Sequence, residues 1–239
     1  GVWTLDQAAD YESRGLWPAP TLPRELYTWG SGNSGGLGQN NTTNYSSPVQ
    51  VGALTTWEAI TQGEKYSAAY KTDGTLWSWG KNNAGQLGVG DITNRSSPVQ
   101  VGALTNWTAE VASGQSFTAA IKTDGTLWTW GYNGYGQLGD GTTAHKSSPI
   151  QVGALTTWST VGTGINHCAA IKTDGTLWTW GTNYQGALGL GNLTYYSSPM
   201  QVGALTTWSS VGAGYSYCVA VKTDGTMWSW GYNPFGQLG

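Results

Sequence analysis

Two cysteines and two histidines are all that this 239-residue chain offers for thiol, imidazole or zinc chemistry. A Cys beside a His can act as a nucleophile, and two of each can hold zinc. Cys168 and Cys218 occupy the same position in two repeated phrases, His-Cys-Ala-Ala-Ile and Tyr-Cys-Val-Ala-Val. That places them on inner strands of neighbouring units, beyond the Cα separation of about 7 Å that a disulfide permits. Of the histidines, His145 stands in a variable loop beside Lys146 and His167 at a packed aromatic position. Neither a triad nor a metal cluster is expected. The chain reads as non-enzymatic, with no metal and no cofactor.

Carboxylates recur in four Lys-Thr-Asp-Gly-Thr phrases, at Asp73, Asp124, Asp174 and Asp224, each followed by a glycine: Gly74, Gly125, Gly175 and Gly225. A ring of such groups could bind cations. The simpler reading is a hairpin turn, in which Asp-Gly supplies two residues of positive φ and a Lys two residues earlier balances the charge. Asn-x-Ser/Thr triplets at Asn40, Asn41, Asn44, Asn94, Asn106 and Asn192 are read as ordinary loop composition.

The elements that must position these groups follow from a repeat. Trp-Gly recurs at Trp29, Trp79, Trp130, Trp180 and Trp230, in steps of 50, 51, 50 and 50 residues, a period that belongs to solenoids, propellers or arrays. Each Asp-Gly lies between two short apolar runs, which defines an inner hairpin. The run after it, such as Leu127-Trp128-Thr129-Trp130, is bulky at three of four positions, as in a strand covered on both faces. Pro48, Pro98, Pro149 and Pro199 open runs that read as edge strands, since proline cannot donate to a ladder. With the Trp57–Ile60 type of segment there are four antiparallel strands per unit, and the fold class is an all-β propeller with four complete blades.

The phrases Asp73-Gly74, Trp77-Ser78-Trp79-Gly80, Asn82 and Gly85-Gln86-Leu87-Gly88 make residues 26–239 resemble the regulator of chromosome condensation repeat family. The resemblance implies a seven-bladed ring. It departs at the position before the inner strand, where the family's frequent His is kept only at His167 and replaced by Tyr66, Phe117 and Tyr217, and in the first repeat, which has Gly35-Gly36-Leu37-Gly38. The repeat units end near 80, 131, 181 and 231, the Leu26–Trp29 strand stands unpaired, and the chain stops in mid-motif at Gly239. Seven blades of about 50 residues need roughly 350, so further chain is expected. Residues 1–25, with Pro18, Pro20 and Pro23, form a separate lead-in or tether that resembles segments preceding repeat domains in structural proteins of tailed marine phages.

Composition narrows the partners. Charged residues are 10% of the chain, the net charge is −3, and no basic run exists to neutralise phosphates, so nucleic acid is disfavoured. No stretch approaches 18 apolar residues, so no membrane span is expected. Thirty aromatics, as 15 Trp, 13 Tyr and 2 Phe, favour rings with a polar handle. Trp29, Trp79, Trp130, Trp180 and Trp230 are assigned to packing between blades because they never vary. The aromatics that break the repeat, Tyr132, Tyr135, Tyr184, Tyr195, Tyr196, Tyr232 and Phe235, are the candidate binding residues. The expected function is a binding or structural module of a virion, such as a tail or capsid-associated attachment protein, whose partners are other virion proteins or a host-surface receptor of protein or glycan. The alternative is a secreted, extracellular lectin-like or inhibitor-type propeller.

Overall fold

The computed structural model describes residues 24–239, in short strands joined by turns and loops, with two single-turn 3-10 helices at Asn33–Gly35 and Tyr184–Gly186. The lead-in assigned to residues 1–25 lies almost wholly outside the described residues.

Seventeen strands form five antiparallel sheets. The first sheet pairs β1 (Tyr27–Gly30) with β2 (Tyr45–Gln50). The second is β3 (Trp57–Gln62), β4 (Tyr66–Lys71), β5 (Leu76–Gly80) and β6 (Arg95–Gln100). The third repeats this with β7 (Trp107–Ser113), β8 (Phe117–Lys122), β9 (Leu127–Gly131) and β10 (Lys146–Gln151). The fourth has β11 (Trp158–Thr163), β12 (His167–Lys172), β13 (Leu177–Gly181) and β14 (Tyr196–Gln201). In the fifth, β15 (Trp208–Ala213), β16 (Tyr217–Lys222) and β17 (Met227–Gly231) make three strands.

Three complete four-stranded blades are therefore present among the described residues, one fewer than the four expected. Each proline-bearing strand pairs with the Trp-Gly strand before it, so the sheets end one strand later than the sequence units. For the same reason the Tyr27–Gly30 strand is paired, not solitary. The prolines do lie on edge strands, and the first strands pack in succession, β3 on β7, β7 on β11 and β11 on β15.

The four Asp-Gly turns have a different backbone from the two-residue turn read from sequence. Only the glycines have positive φ, at 82°, 75°, 77° and 83°. Gly74 N–H donates to the Lys71 carbonyl at 3.0 Å and Lys71 N–H to the Thr75 carbonyl at 2.9 Å, which makes a three-residue loop with a glycine bulge. Asp is selected for its side chain. Asp73 Oδ1 accepts from Thr75 N–H at 3.0 Å and Thr75 Oγ1 at 2.6 Å, and Thr75 Oγ1 accepts from Trp77 Nε1 at 2.8 Å. These bonds hold the carboxyl below its ordinary pKa. Lys71, instead of pairing closely with Asp73, lays its ammonium 3.7 Å from the centroid of Trp77, and Lys122, Lys172 and Lys222 repeat the arrangement on Trp128, Trp178 and Trp228.

Blades are joined by the Trp-Gly tryptophans. Trp79, Trp130 and Trp180 are fully buried, and each indole N–H donates at 3.0 Å to a carbonyl of the preceding blade: Gly36, Gln86 and Gln137. Trp230 is half-buried and bonds Ala187 in the same way. Trp29, assigned to the same packing role, is 59% exposed, because no preceding blade lies against it among the described residues.

Candidate functional site

The loop after the Trp-Gly strand is built on an asparagine at Asn82, Asn133, Asn183 and Asn233, whereas the first loop has Gly32 at that position. Leu138 N–H donates to Asn133 Oδ1 at 2.9 Å, while Asn133 Nδ2 donates to the carbonyls of Thr142 and Ala144 at 3.1 and 3.2 Å. Asn82 and Asn183 make the corresponding bonds. The loop is rigid, and the positions between its anchors are free to vary.

A second anchor comes from the residue just before the proline-bearing strand. Asn44 Oδ1 accepts from Gly32 N–H at 2.9 Å, Asn94 Oδ1 from Asn82 N–H at 2.8 Å, and His145 Nδ1 from Asn133 N–H at 3.0 Å. Tyr195 occupies the equivalent position in the next blade and has no acceptor on a short stem. Its ring turns to the Tyr135 ring of the neighbouring blade, with centroids 6.2 Å apart and planes at 79°.

This contact is one wall of a cleft of about 580 Å³ that spans three blades. The other wall is Tyr184 against Tyr232, with centroids 5.8 Å apart. Ile165, Asn166, Tyr215 and Ser216, from the loops that precede β12 and β16, supply the floor, and Thr182, Phe235 and Gln237 complete the lining. Phe235 is 88% exposed.

Five of the seven candidate aromatics thus converge: Tyr135, Tyr184, Tyr195, Tyr232 and Phe235. Tyr132 stands behind them, its ring tilted against His145 at 4.6 Å and edge-on to Tyr135 at 6.1 Å. Tyr196 points elsewhere, its hydroxyl accepting from Asn192 Nδ2 at 3.3 Å. Tyr215 was missed in the sequence. Comparing the residue after the repeated glycine, Glu64, Gln115, Ile165 and Tyr215, shows the change from polar to apolar that marks it.

The repeated glycine itself answers to packing. A Cβ on Gly114 would lie 2.1 Å from the Phe117 ring, and on Gly164 2.1 Å from His167. His167 takes the place of an aromatic in this stack and is wholly buried. It also meets Cys218, whose Sγ lies 3.4 Å from Nε2, a Cys–His pair formed across blades that the sequence reading did not anticipate. The pair is inert. Burial lowers the His167 pKa to about 4 and pushes the Cys218 thiol up to about 12, so the thiolate–imidazolium state that confers reactivity is disfavoured at both ends. Cys168 is buried and free, its thiol raised by burial. Among the described residues no three His, Cys, Asp or Glu side chains gather around a metal-sized space. None of the described helices is long and apolar enough to cross a membrane.

Repeated four-stranded sheets joined by tryptophan, with variable loops at one end, define a β-propeller. The sequence model of the RCC1-like domain matches residues 24–239, and the chain belongs to that family. It is 33% identical over 131 residues to the ultraviolet-B receptor UVR8 of Arabidopsis thaliana, covering 54% of this chain and 30% of the receptor. It is 31% identical over 126 residues to the human E3 ubiquitin-protein ligase HERC2, covering 49% of this chain and 3% of the ligase. The chain therefore matches less than a third of the length of either relative. Among solved structures, human WBSCR16 superposes with a TM-score of 0.79 at 22% identity, covering 91% of this chain and 59% of the other. Yeast RCC1 (Prp20), solved bound to Kap60, gives 0.78 at 21% identity, covering 91% and 54%. At these identities the likeness concerns the fold.

Proposed function

We propose that the chain is a non-enzymatic recognition module that binds its target through the aromatic cleft at the loop end of the ring. The observation that carries this is Tyr195. Three blades spend the equivalent residue on a bond that fixes their own loop, and the fourth gives that bond up to place a ring opposite Tyr135. A local rule broken without a folding benefit is the mark of a functional position.

Its place is proposed to be the surface of a particle, as a tail or capsid-associated attachment protein of a virion. Low charge, near-identical repeats and the character of residues 1–25 support that placement, with the lead-in as tether. The chain would be purified with Tyr135, Tyr184, Tyr232 and Phe235 all changed to Ser, and its co-sedimentation with assembled particles and its attachment to host cells compared with the unaltered chain. Loss of cell attachment with an unchanged melting curve is the expected result. Unchanged attachment would leave only a scaffolding role. Retained cell binding without co-sedimentation would favour the secreted, lectin-like alternative.

A further inference from the structure

The cleft differs from the rest of its own end of the molecule in charge. At the second sheet the equivalent positions hold Glu64, Lys65 and Lys81, with Lys81 Nζ 3.7 Å from Glu64. Across the fourth and fifth sheets they read Ile165, Asn166 and Thr182, then Tyr215, Ser216 and Tyr232. Among the described residues no charged side chain lines the cleft.

Its polar groups are uncharged amides and hydroxyls. Asn166 Oδ1 already accepts from Gln137 Nε2 at 3.1 Å, and Gln237 Oε1 from Phe235 N–H at 3.0 Å, so both amides have their NH₂ groups to offer. Hydroxyls of Thr182, Ser216 and the tyrosines can donate and accept. Between them stand rings set obliquely in two pairs.

We infer that the ligand of this cleft is a neutral pyranose oligosaccharide, an inference that rests on the proposed recognition role of the same site. A sugar ring presents a flat apolar C–H face for stacking on tyrosine and a rim of hydroxyls that donate and accept without charge. An acidic sugar, a phosphopeptide or a basic peptide would lose its water and find no counter-charge, which is costly. A cleft of about 580 Å³ falls in the range of roughly 300–1,000 Å³ that takes small ligands. A docked protein instead covers about 800 Å² of each partner.

The test is titration calorimetry of the whole chain with tri- and tetrasaccharides of β-linked glucose, β-linked N-acetylglucosamine, galactose and α-linked glucose, beside sialylated and uronic acid counterparts. One neutral series should bind with an affinity that changes less than twofold between 50 and 500 mM salt. Tyr184→Ser with Tyr232→Ser should weaken it at least tenfold, and Tyr184→Phe with Tyr232→Phe by much less, at unchanged melting temperature. Absence of neutral binding at millimolar sugar, preference for the acidic series, or indifference to the Ser pair overturns the inference. If no sugar binds yet the Ser pair still abolishes cell attachment, the ligand class is wrong and the recognition face stands. If attachment too is unaffected, both fall.

Discussion

The indole N–H of Trp130 donates to the carbonyl of Gln86 at 3.0 Å, and this bond stitches the third sheet to the loop of the second. Around it the Trp130 ring is fully buried and packs on Trp107 with centroids 5.8 Å apart. Trp130→Ala should destabilise the chain by about 3–5 kcal/mol in urea unfolding. Trp29→Ala, at a position 59% exposed, should change it by less than about 1 kcal/mol. Equal losses would overturn the difference assigned to the two sites.

The glycine that cradles this tryptophan gives a sharper test. A Cβ on Gly88 would lie 2.6 Å from Trp130 Nε1, with φ at +70°, whereas Gly102 has a similar φ of +64° and open space around it. Gly102→Ala should cost the left-handed backbone alone, about 1–2 kcal/mol. Gly88→Ala should cost clearly more, and similar midpoint shifts for the two would show that the indole moves aside freely.

His167 makes stability depend on acidity. Its pKa is about 4 in the folded chain against 6.5 unfolded, so between these values the unfolded chain holds the extra proton. Stability should be unaffected above pH 6.5, fall as pH drops from 6.5 toward 4 by about 3 kcal/mol, and flatten below. His167→Phe, which copies Phe117 of the preceding blade, should abolish that slope in urea unfolding at successive pH values. A slope that survives the substitution belongs to other groups.

Asp124 is assigned to its turn, where Oδ1 accepts from Thr126 N–H at 3.0 Å and Thr126 Oγ1 at 2.6 Å. Asp124→Ala should lower stability by about 1 kcal/mol, and Asp124→Asn, which keeps an acceptor oxygen, by less. Calcium chloride should leave the melting temperature of the unaltered chain where it was. A rise on adding calcium would return these carboxylates to the status of a cation site.

The period of Trp-Gly, the Asp-Gly hairpins and the edge prolines were legible in the sequence because each answers to a local rule of backbone chemistry or strand accessibility, repeated at every step. The turn type was not, since Asp acts there through its side chain on Thr75 and not through its own φ. Nor was the boundary of a blade. A repeat has no intrinsic starting point, and only the pairing of Gly80 with Arg95 shows that the proline strand closes the sheet behind it. Composition and symmetry breaking picked out Tyr135, Tyr184, Tyr195, Tyr232 and Phe235 one by one. That they face one another, that Tyr215 joins them, that Tyr196 does not, and that His167 touches Cys218 were decided by the lateral packing of blades, which brings together residues about fifty positions apart and leaves no trace in the neighbouring sequence.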